Sequence, residues 1–156
     1  QVGSYFARRS GNRGAGVALS AAGTGLAAAA GYLGGTLTFD RGVGVNHTVF
    51  EDSVSEWTDV AALGELAPDQ LVRVSAAGVP VVLVRQGSQV RALSATCVHA
   101  GGPLDEGTLV DGCVRCPWHG SEFRLTDGKV ARGPAATDQP SWQVRVRDER
   151  VQVRSA

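Results

Sequence analysis

The most informative pattern in this chain is CVHAGGPLDEGTLVDGCVRCPWHGSEF, residues 97–123. It contains two Cys-His pairs: Cys97 and His99 in a Cys-x-His spacing, and Cys116 and His119 in a Cys-x-x-His spacing. Two thiolates and two imidazoles are the ligands of a mixed-ligand 2Fe-2S cluster, in which the cysteines bind one iron and the histidines bind the other. Each loop can give one sulfur to the inner iron and one nitrogen to the outer iron. The spacing therefore predicts that these four residues hold a 2Fe-2S cluster.

Other interpretations of the same residues remain open from the sequence. Cys113 and Cys116 form a Cys-x-x-Cys pair, which could close a tetrahedral zinc site with His99 and His119. The residues could also be core cysteines and surface histidines, although four ligand-type residues rarely fall into two short pairs by chance. A disulfide is disfavoured, because three cysteines leave one over and no secreted disulfide framework is visible. Cys113 lies in an alternating strand pattern, so we expect a partly buried strand residue there and not a ligand.

The two loops resemble, residue by residue and in order, the cluster-binding loops of a Rieske domain. The shared pattern includes the Gly-Gly-Pro-Leu turn at 101–104 and, in the second loop, Pro117, Gly120 and Ser121. The resemblance runs from about Trp57 to the C-terminus. It implies an all-β Rieske fold, built of antiparallel sheets with a small cluster-binding subdomain of two loops, and it implies that the three second-loop residues contact the cluster.

Departures from one branch of that family are informative. The Rieske proteins of respiratory cytochrome bc complexes carry an extra cysteine in each loop, paired as a disulfide clamp, and the corresponding positions here are Gly102 and Trp118. Those proteins also donate hydrogen bonds to the cluster from a serine and a tyrosine. Ser121 matches the serine, whereas Phe123 has no hydroxyl to donate. The resemblance therefore implies the ferredoxin and oxygenase-ferredoxin branch, with a low to intermediate reduction potential.

The rest of the chain beyond Trp57 alternates apolar and polar residues in short segments bounded by turn residues, which is typical of antiparallel β-structure. Asp111-Gly112 predicts a hairpin turn between the two ligand loops. The single segment with a helical period is a short turn at 60–66. The predicted strands cover residues 71–74, 79–84, 89–93, 108–110, 113–115, 122–125, 129–131, 142–146 and 150–153.

The N-terminal part has a different composition. Residues 14–39 contain no charged side chain, and at roughly 1.5 Å per residue they are long enough to cross a ~30 Å hydrocarbon layer. We therefore predict a transmembrane helix at 14–39. A basic juxtamembrane segment at 1–13 precedes it, and a polar linker at 40–55, with room for a short strand, leads to the Rieske domain at 56–156. A flexible Gly/Ala linker and a signal peptide are the alternatives for the apolar segment.

Small residues dominate the apolar segment. Gly31 and Gly35 stand in the small-xxx-small spacing, which favours close packing against other transmembrane helices. The stretch GYLGGTLTFDRGVGV at 31–45 also resembles the last helix and exit of a multi-helix membrane family of unknown function that can precede Rieske domains. The chain begins with Gln1, so we expect a fragment or a processed product of a larger protein.

Charge bears on partners and on orientation. Residues 1–50 carry four arginines against one aspartate, so the remainder of the chain, which contains the cluster loops, is net acidic and is not expected to bind nucleic acid. The arginines before the apolar segment would place its N-terminal side in the cytoplasm. However, clusters are assembled in the cytoplasm, and the twin-arginine interpretation of Arg8-Arg9 is weakened by the polar residues that follow. We therefore expect a bacterial inner membrane protein with its Rieske domain on the cytoplasmic face.

The sequence predicts an electron carrier and not an enzyme. His47 is the one histidine outside the motif, so the two-histidine, one-carboxylate iron site used by Rieske oxygenases cannot be built, and we expect His47 to be a plain linker residue. No Gly-x-Gly-x-x-Gly fingerprint follows a strand, which excludes a flavin or nicotinamide domain. The leading hypothesis is a membrane-tethered one-electron carrier that works with a reductase or a terminal acceptor. The alternative is a non-redox domain, metal-stabilised or iron-sulfur sensing, within a membrane protein.

Overall fold

The structure is a computed structural model that describes residues 2–42 and 44–156. The chain divides into two compact units, Gln1–Arg41 and Gly42–Ala156. The first unit is helical and the second consists of strands and turns. Gln1, and the Val43 of the predicted linker, lie outside the described residues.

The helical unit is a hairpin of two helices, α1 (Val2–Arg9) and α2 (Arg13–Gly35), and α2 continues into a π-helical turn at Thr36–Asp40. Asn12 caps α2, because its side-chain oxygen accepts a hydrogen bond from the Ala15 N–H at 3.1 Å. The helix from Arg13 to Asp40 is long and apolar enough to cross a membrane, by length and composition. The predicted apolar helix is therefore present, and the basic segment before it is itself mostly helical.

The contact between the two helices depends on small residues. The buried Ser4 hydroxyl donates to the carbonyl of Gly16 at 2.6 Å and lies 2.6 Å from the Ser20 hydroxyl. A Cβ on Gly16 would overlap the side chain of Arg8, so only glycine allows this approach. The hairpin is thus a specific packing of α1 on α2.

Within residues 44–156, the second unit contains ten strands in three antiparallel sheets, which confirms the predicted all-β class. The first sheet has the order β1 (Thr58–Ala62), β10 (Arg150–Ser155), β9 (Trp142–Arg147). The second sheet contains β2 (Leu71–Ala76), β3 (Val79–Gln86) and β4 (Gln89–Ser94). The third, which carries the ligand loops, contains β5 (Thr108–Val110), β6 (Cys113–Arg115), β7 (Glu122–Arg124) and β8 (Val130–Arg132).

Strand β3 joins the two hydrophobic cores of this unit. Its residues Val81 to Val84 are all buried, and successive side chains point to opposite faces of the sheet. Val82 and Val84 pack into the core beneath the ligand loops, whereas Val81 and Leu83 pack into the core of the first sheet. A strand buried on both faces has a continuous apolar run instead of an alternating one, which is the pattern that β3 shows.

Two segments differ from the sequence prediction. Residues 60–66, predicted as a helical turn, form the end of β1 and a single 3-10 turn at Leu63–Glu65. Strand β1 exists because it pairs with β10, about ninety residues away, and no local pattern reveals that partner.

Residues 44–55, which we call the strap, form turns and bends and contain no strand. The strap is part of the folded second unit and packs against its sheets. Val54 is buried in the core of the first sheet, its N–H donates to Ser155 Oγ at 2.8 Å, and its carbonyl accepts the Ser155 N–H at 2.8 Å.

Candidate metal centre

The first ligand loop is a closed turn that begins at Cys97. The N–H of Gly101 donates to the Cys97 carbonyl at 2.8 Å, and the Cys97 N–H donates to the Gly102 carbonyl at 2.8 Å. Gly101 has φ +77°, a left-handed conformation that favours glycine. His99 therefore lies at the outer end of a loop whose two ends are joined by backbone hydrogen bonds.

The second loop repeats this closure. The N–H of Gly120 donates to the Cys116 carbonyl at 3.1 Å, the Cys116 N–H donates to the Ser121 carbonyl at 2.8 Å, and Gly120 has φ +73°. In both loops the cysteine carbonyl accepts from a glycine four residues later. The repeated Cys-x-x-x-Gly spacing is a sequence signal for this shared geometry, which was not among the predictions.

A β-hairpin holds the two loops side by side. Strand β5 turns into β6 across Asp111 and Gly112, both with positive φ, as the predicted Asp-Gly hairpin requires. Strand β6 ends at Arg115, so the next residue, Cys116, starts the second loop directly from the sheet. The position of the second cysteine is thereby fixed by the register of the hairpin.

The four predicted ligands lie in two pairs. The thiols of Cys97 and Cys116 are neighbours in the core, and both residues are buried. Burial, with a smaller contribution from the adjacent Cys116, raises the pKa of Cys97 to about 11, so a positive metal centre would hold Cys97 as a thiolate. The rings of His99 and His119 lie with their centroids 5.0 Å apart and nearly perpendicular, and His119 is exposed.

This arrangement fits a two-iron group better than a single ion. No three His, Cys, Asp or Glu side chains within residues 2–42 and 44–156 converge on one point where a metal ion could bind. A tetrahedral zinc needs four ligands around one centre, whereas a 2Fe-2S cluster needs one thiol pair and one imidazole pair on neighbouring irons. The buried thiol pair and the outer imidazole pair match the second requirement.

Cys113 is placed apart from this set. It lies within β6, where successive side chains alternate between faces, and the next residue, Val114, packs with Cys116 in the core beneath the loops. Burial, with the nearby Glu122 carboxylate, raises the pKa of the Cys113 thiol. Cys113 therefore has the environment of a buried, protonated strand residue.

The two loops touch at Gly102. A Cβ on Gly102 would lie 2.9 Å from Cys116 Sγ and 3.1 Å from the Trp118 ring, which leaves no room for a side chain. Trp118 is 57% exposed, so its ring covers this contact from the solvent side. Gly102 and Trp118, which the resemblance aligns with the clamp cysteines of another branch, are thus in contact with each other.

The other predicted cofactor contacts are Pro117, Gly120 and Ser121. Pro117 is exposed at the start of the second loop, and Gly120 closes that loop as described above. Ser121 is fully buried, and its Oγ accepts a hydrogen bond from the Ala135 N–H at 3.0 Å. Because the oxygen accepts this bond, the hydroxyl proton of Ser121 is available for another acceptor.

Two further residues hold the first loop, and neither was predicted from the sequence to do so. The N–H of His47, in the strap, donates to the Val98 carbonyl at 2.9 Å. The side-chain oxygen of Gln139 accepts the Val98 N–H at 3.0 Å. Nothing in the sequence marked them, because one lies in a segment without a pattern and the other in a loop between β8 and β9. His47, expected to be a plain linker residue, is a backbone partner of the ligand loop.

Comparison with known proteins gives consistent matches. The family model described as the Rieske [2Fe-2S] domain matches residues 56–143. Apoptosis-inducing factor 3 from Homo sapiens is 34% identical over 97 residues, which is 62% of this chain but only 16% of that protein. Ferredoxin CarAc from Metapseudomonas resinovorans is 33% identical over 98 residues, which cover 62% of this chain and 92% of the ferredoxin.

A solved structure agrees with these matches. The complex of reduced oxygenase and oxidized ferredoxin in carbazole 1,9a-dioxygenase contains a chain that is 32% identical, with a TM-score of 0.59. The match covers 63% of this chain and 92% of that chain. The similarity to the human protein is confined to a small part of its length, whereas the similarity to the ferredoxins covers nearly all of theirs.

Proposed function

Because the chain belongs to the Rieske [2Fe-2S] domain family, we propose that Cys97, His99, Cys116 and His119 hold its 2Fe-2S cluster and that it works as a membrane-tethered one-electron carrier. The observation that carries this proposal is the buried thiol pair beside an outer imidazole pair. When bound, such a cluster supplies a one-electron redox couple, with a higher potential than four-cysteine ferredoxins.

The protein side chains determine where the electron is exchanged. Cys97 and Cys116 lie in the hydrophobic core, which would keep water away from the metal that these thiolates hold. His119 is exposed next to the exposed ring of Trp118, so a partner can approach the histidine side of the centre. Electron exchange should therefore take place through the imidazoles, at the outer end of the two loops.

We propose a redox protein as the partner, either a reductase that donates or a terminal acceptor that receives the electron. Similarity to Ferredoxin CarAc, and to a ferredoxin solved in complex with an oxygenase, supports this class of partner. The alternative is a non-redox sensing or structural domain. Spectroelectrochemical titration of the full chain in detergent distinguishes the two: reversible uptake of one electron per cluster supports the carrier, and a centre that cannot be reduced reversibly supports the alternative.

The helical unit supports membrane tethering. The helix Arg13–Asp40 has the length and composition of a membrane span, and α1 packs against it through small residues, as neighbouring membrane helices do. We propose that this unit belongs to a bundle with further transmembrane helices. Extraction of membranes with alkaline carbonate tests whether the helical unit is embedded in the membrane, since an integral protein stays with the membrane and a soluble ferredoxin is released.

We propose a bacterial inner membrane with the β-rich unit on the cytoplasmic face, where clusters are assembled. Arg8, Arg9 and Arg13 lie at the turn of the helical hairpin and by the positive-inside rule argue for the opposite face. Fusions of green fluorescent protein and alkaline phosphatase to the C-terminus decide between the two. Fluorescence without phosphatase activity supports the cytoplasmic face, and the reverse result overturns it.

A further inference from the structure

We infer that Gln139 is a positioning residue for the first ligand loop, acting on Cys97 and His99 through the backbone N–H of Val98. The inference rests on the proposed ligand set. It assigns to Gln139 a role that neither the ligand spacing nor the loop pattern indicates, because the residue lies in the loop between β8 and β9, far from the ligands in the sequence.

The side-chain amide of Gln139 makes three hydrogen bonds in the interior. Its Oε1 accepts the Val98 N–H at 3.0 Å, and its Nε2 donates to the carbonyls of Ser94 at 2.8 Å and Thr96 at 2.7 Å. Gln139 is only 2% exposed. Since the oxygen and both amide protons are used, the side chain is held in a single orientation.

These bonds extend the pairing between the end of β4 and the chain around Pro140. The Ser94 N–H donates to the Pro140 carbonyl at 2.9 Å, so the chain around Pro140 pairs with the end of β4. Beyond that point, the Gln139 side chain bonds to residues 94, 96 and 98, every second residue from the end of β4 into the first ligand loop. The amide therefore substitutes for the peptide groups of a neighbouring strand.

The backbone of Gln139 is fixed as well. Its N–H donates to the Gly128 carbonyl at 2.9 Å. A Cβ on Gly128 would overlap the Gln139 carbonyl, so the two segments approach as closely as glycine allows. The backbone that carries the Gln139 side chain is therefore held in place.

Val98 is the point at which this support reaches the metal centre. It is fully buried, stands between Cys97 and His99, and has its carbonyl held by the His47 N–H. The Gln139 bond therefore holds the peptide group between Cys97 and Val98, and the His47 bond holds the one between Val98 and His99. Loss of the Gln139 bond should loosen both ligands at once, because the buried N–H would lose its partner.

The test uses the cluster-loaded full chain in detergent with two nearly isosteric variants. Gln139→Leu removes all three bonds, whereas Gln139→Glu keeps the acceptor for Val98 but loses amide donors. Hydrogen exchange by mass spectrometry, resolved to residues 94–98, should be slowest in the wild type, intermediate in Gln139→Glu and at least about tenfold faster in Gln139→Leu. The electron paramagnetic resonance signal of the reduced protein should broaden in the same order.

Val151→Ala is the matched control. Val151 is fully buried in the core of the first sheet, so this variant should lower the unfolding temperature without changing exchange at 94–98 or the resonance signal. If Gln139→Leu behaves like the control, or if exchange in Gln139→Glu equals that of the wild type while its signal is unchanged, the positioning role is wrong.

Failure of the ligand assignment would look different. If Cys97→Ser kept its cluster, the proposed ligand set would be wrong, whatever the result at Gln139. If Cys97→Ser lost the cluster and both Gln139 variants matched the wild type in exchange and resonance signal, only the positioning role would be overturned. If Gln139→Leu does not fold, hydrogen exchange and the resonance signal of Gln139→Glu decide whether Gln139 positions the loop.

Discussion

At the residue scale, the reduction potential should depend on hydroxyl groups near the cluster. Ser121 has a free hydroxyl proton and is fully buried, whereas Phe123, also fully buried, offers none. A hydrogen bond to cluster sulfur is stronger in the reduced state, which carries one more negative charge. If that difference is roughly 1 to 2 kcal/mol, and 100 mV corresponds to about 2.3 kcal/mol per electron, one bond shifts the potential by about 40 to 90 mV.

We therefore expect Ser121→Ala to lower the potential by this amount and Phe123→Tyr to raise it. Voltammetry of the cluster-loaded full chain measures both. Ser88→Ala, in the exposed turn between β3 and β4, serves as the control and should leave the potential unchanged. If both test variants also keep the wild-type potential, these residues do not contact the cluster in the way the resemblance implies.

Cys113 provides a second residue-scale prediction. Because it lies in β6 and its neighbour Val114 packs with Cys116 on the other face, Cys113→Ser should retain a full complement of iron and sulfide. Cys97→Ser and Cys116→Ser should lose the cluster. Iron and acid-labile sulfide analysis measures all three. Loss of the cluster in every variant would return the zinc alternative to consideration.

At the scale of loops and strands, the contact between the two ligand loops should be intolerant of any side chain. Gly102→Ala would place a methyl group 2.9 Å from Cys116 Sγ and 3.1 Å from the Trp118 ring. We expect it to lower the free energy of unfolding by about 1 to 3 kcal/mol, as overpacking does, and to speed cluster loss in air. Denaturant titration and the decay of visible absorption measure the two effects.

Gly64→Ala is the control for this prediction. Apart from its chain neighbours, no heavy atom of the described residues lies within 4 Å of the position that a Cβ on Gly64 would occupy, so stability and cluster lifetime should not change. Equal behaviour of Gly102→Ala and Gly64→Ala would show that the loops do not pack against each other at this point.

The strap supports a second prediction at this scale. It contributes the His47 bond to Val98, two bonds between Val54 and Ser155, and the burial of Val54. Together these should stabilise the β-rich unit by about 2 to 5 kcal/mol. A fragment of residues 56–156 should therefore unfold at lower denaturant concentration than one of residues 44–156. Identical midpoints would mean that the strap is an inert linker, as the sequence suggested.

The sequence predicted the elements whose signals are local. Strands such as β5 and β6 could be located because alternation and the Asp-Gly turn lie within a few residues of each other. Strand β1 was missed because its partner β10 is distant in the chain. The roles of His47 and Gln139 could not be predicted, because a single hydrogen bond to a backbone group leaves no periodic pattern in the sequence.

At the scale of the whole molecule, the chain joins a helical unit to a β-rich unit of the Rieske family. The family match covers residues 56–143 and so concerns the β-rich unit alone. The helical unit has the length and composition for a membrane span. A ferredoxin joined to such a unit would exchange electrons at a membrane instead of diffusing between soluble components, which is why the carbonate extraction and the C-terminal fusions matter to the functional proposal.

We propose that Cys97, His99, Cys116 and His119 bind one 2Fe-2S cluster with histidines on one iron. Electron paramagnetic resonance of the anaerobically purified, reduced full chain tests it directly. We predict a signal whose average g value is below that of four-cysteine clusters, together with two irons and two acid-labile sulfides per chain. Stoichiometric zinc without sulfide, or a signal typical of four-cysteine ligation, would contradict the account.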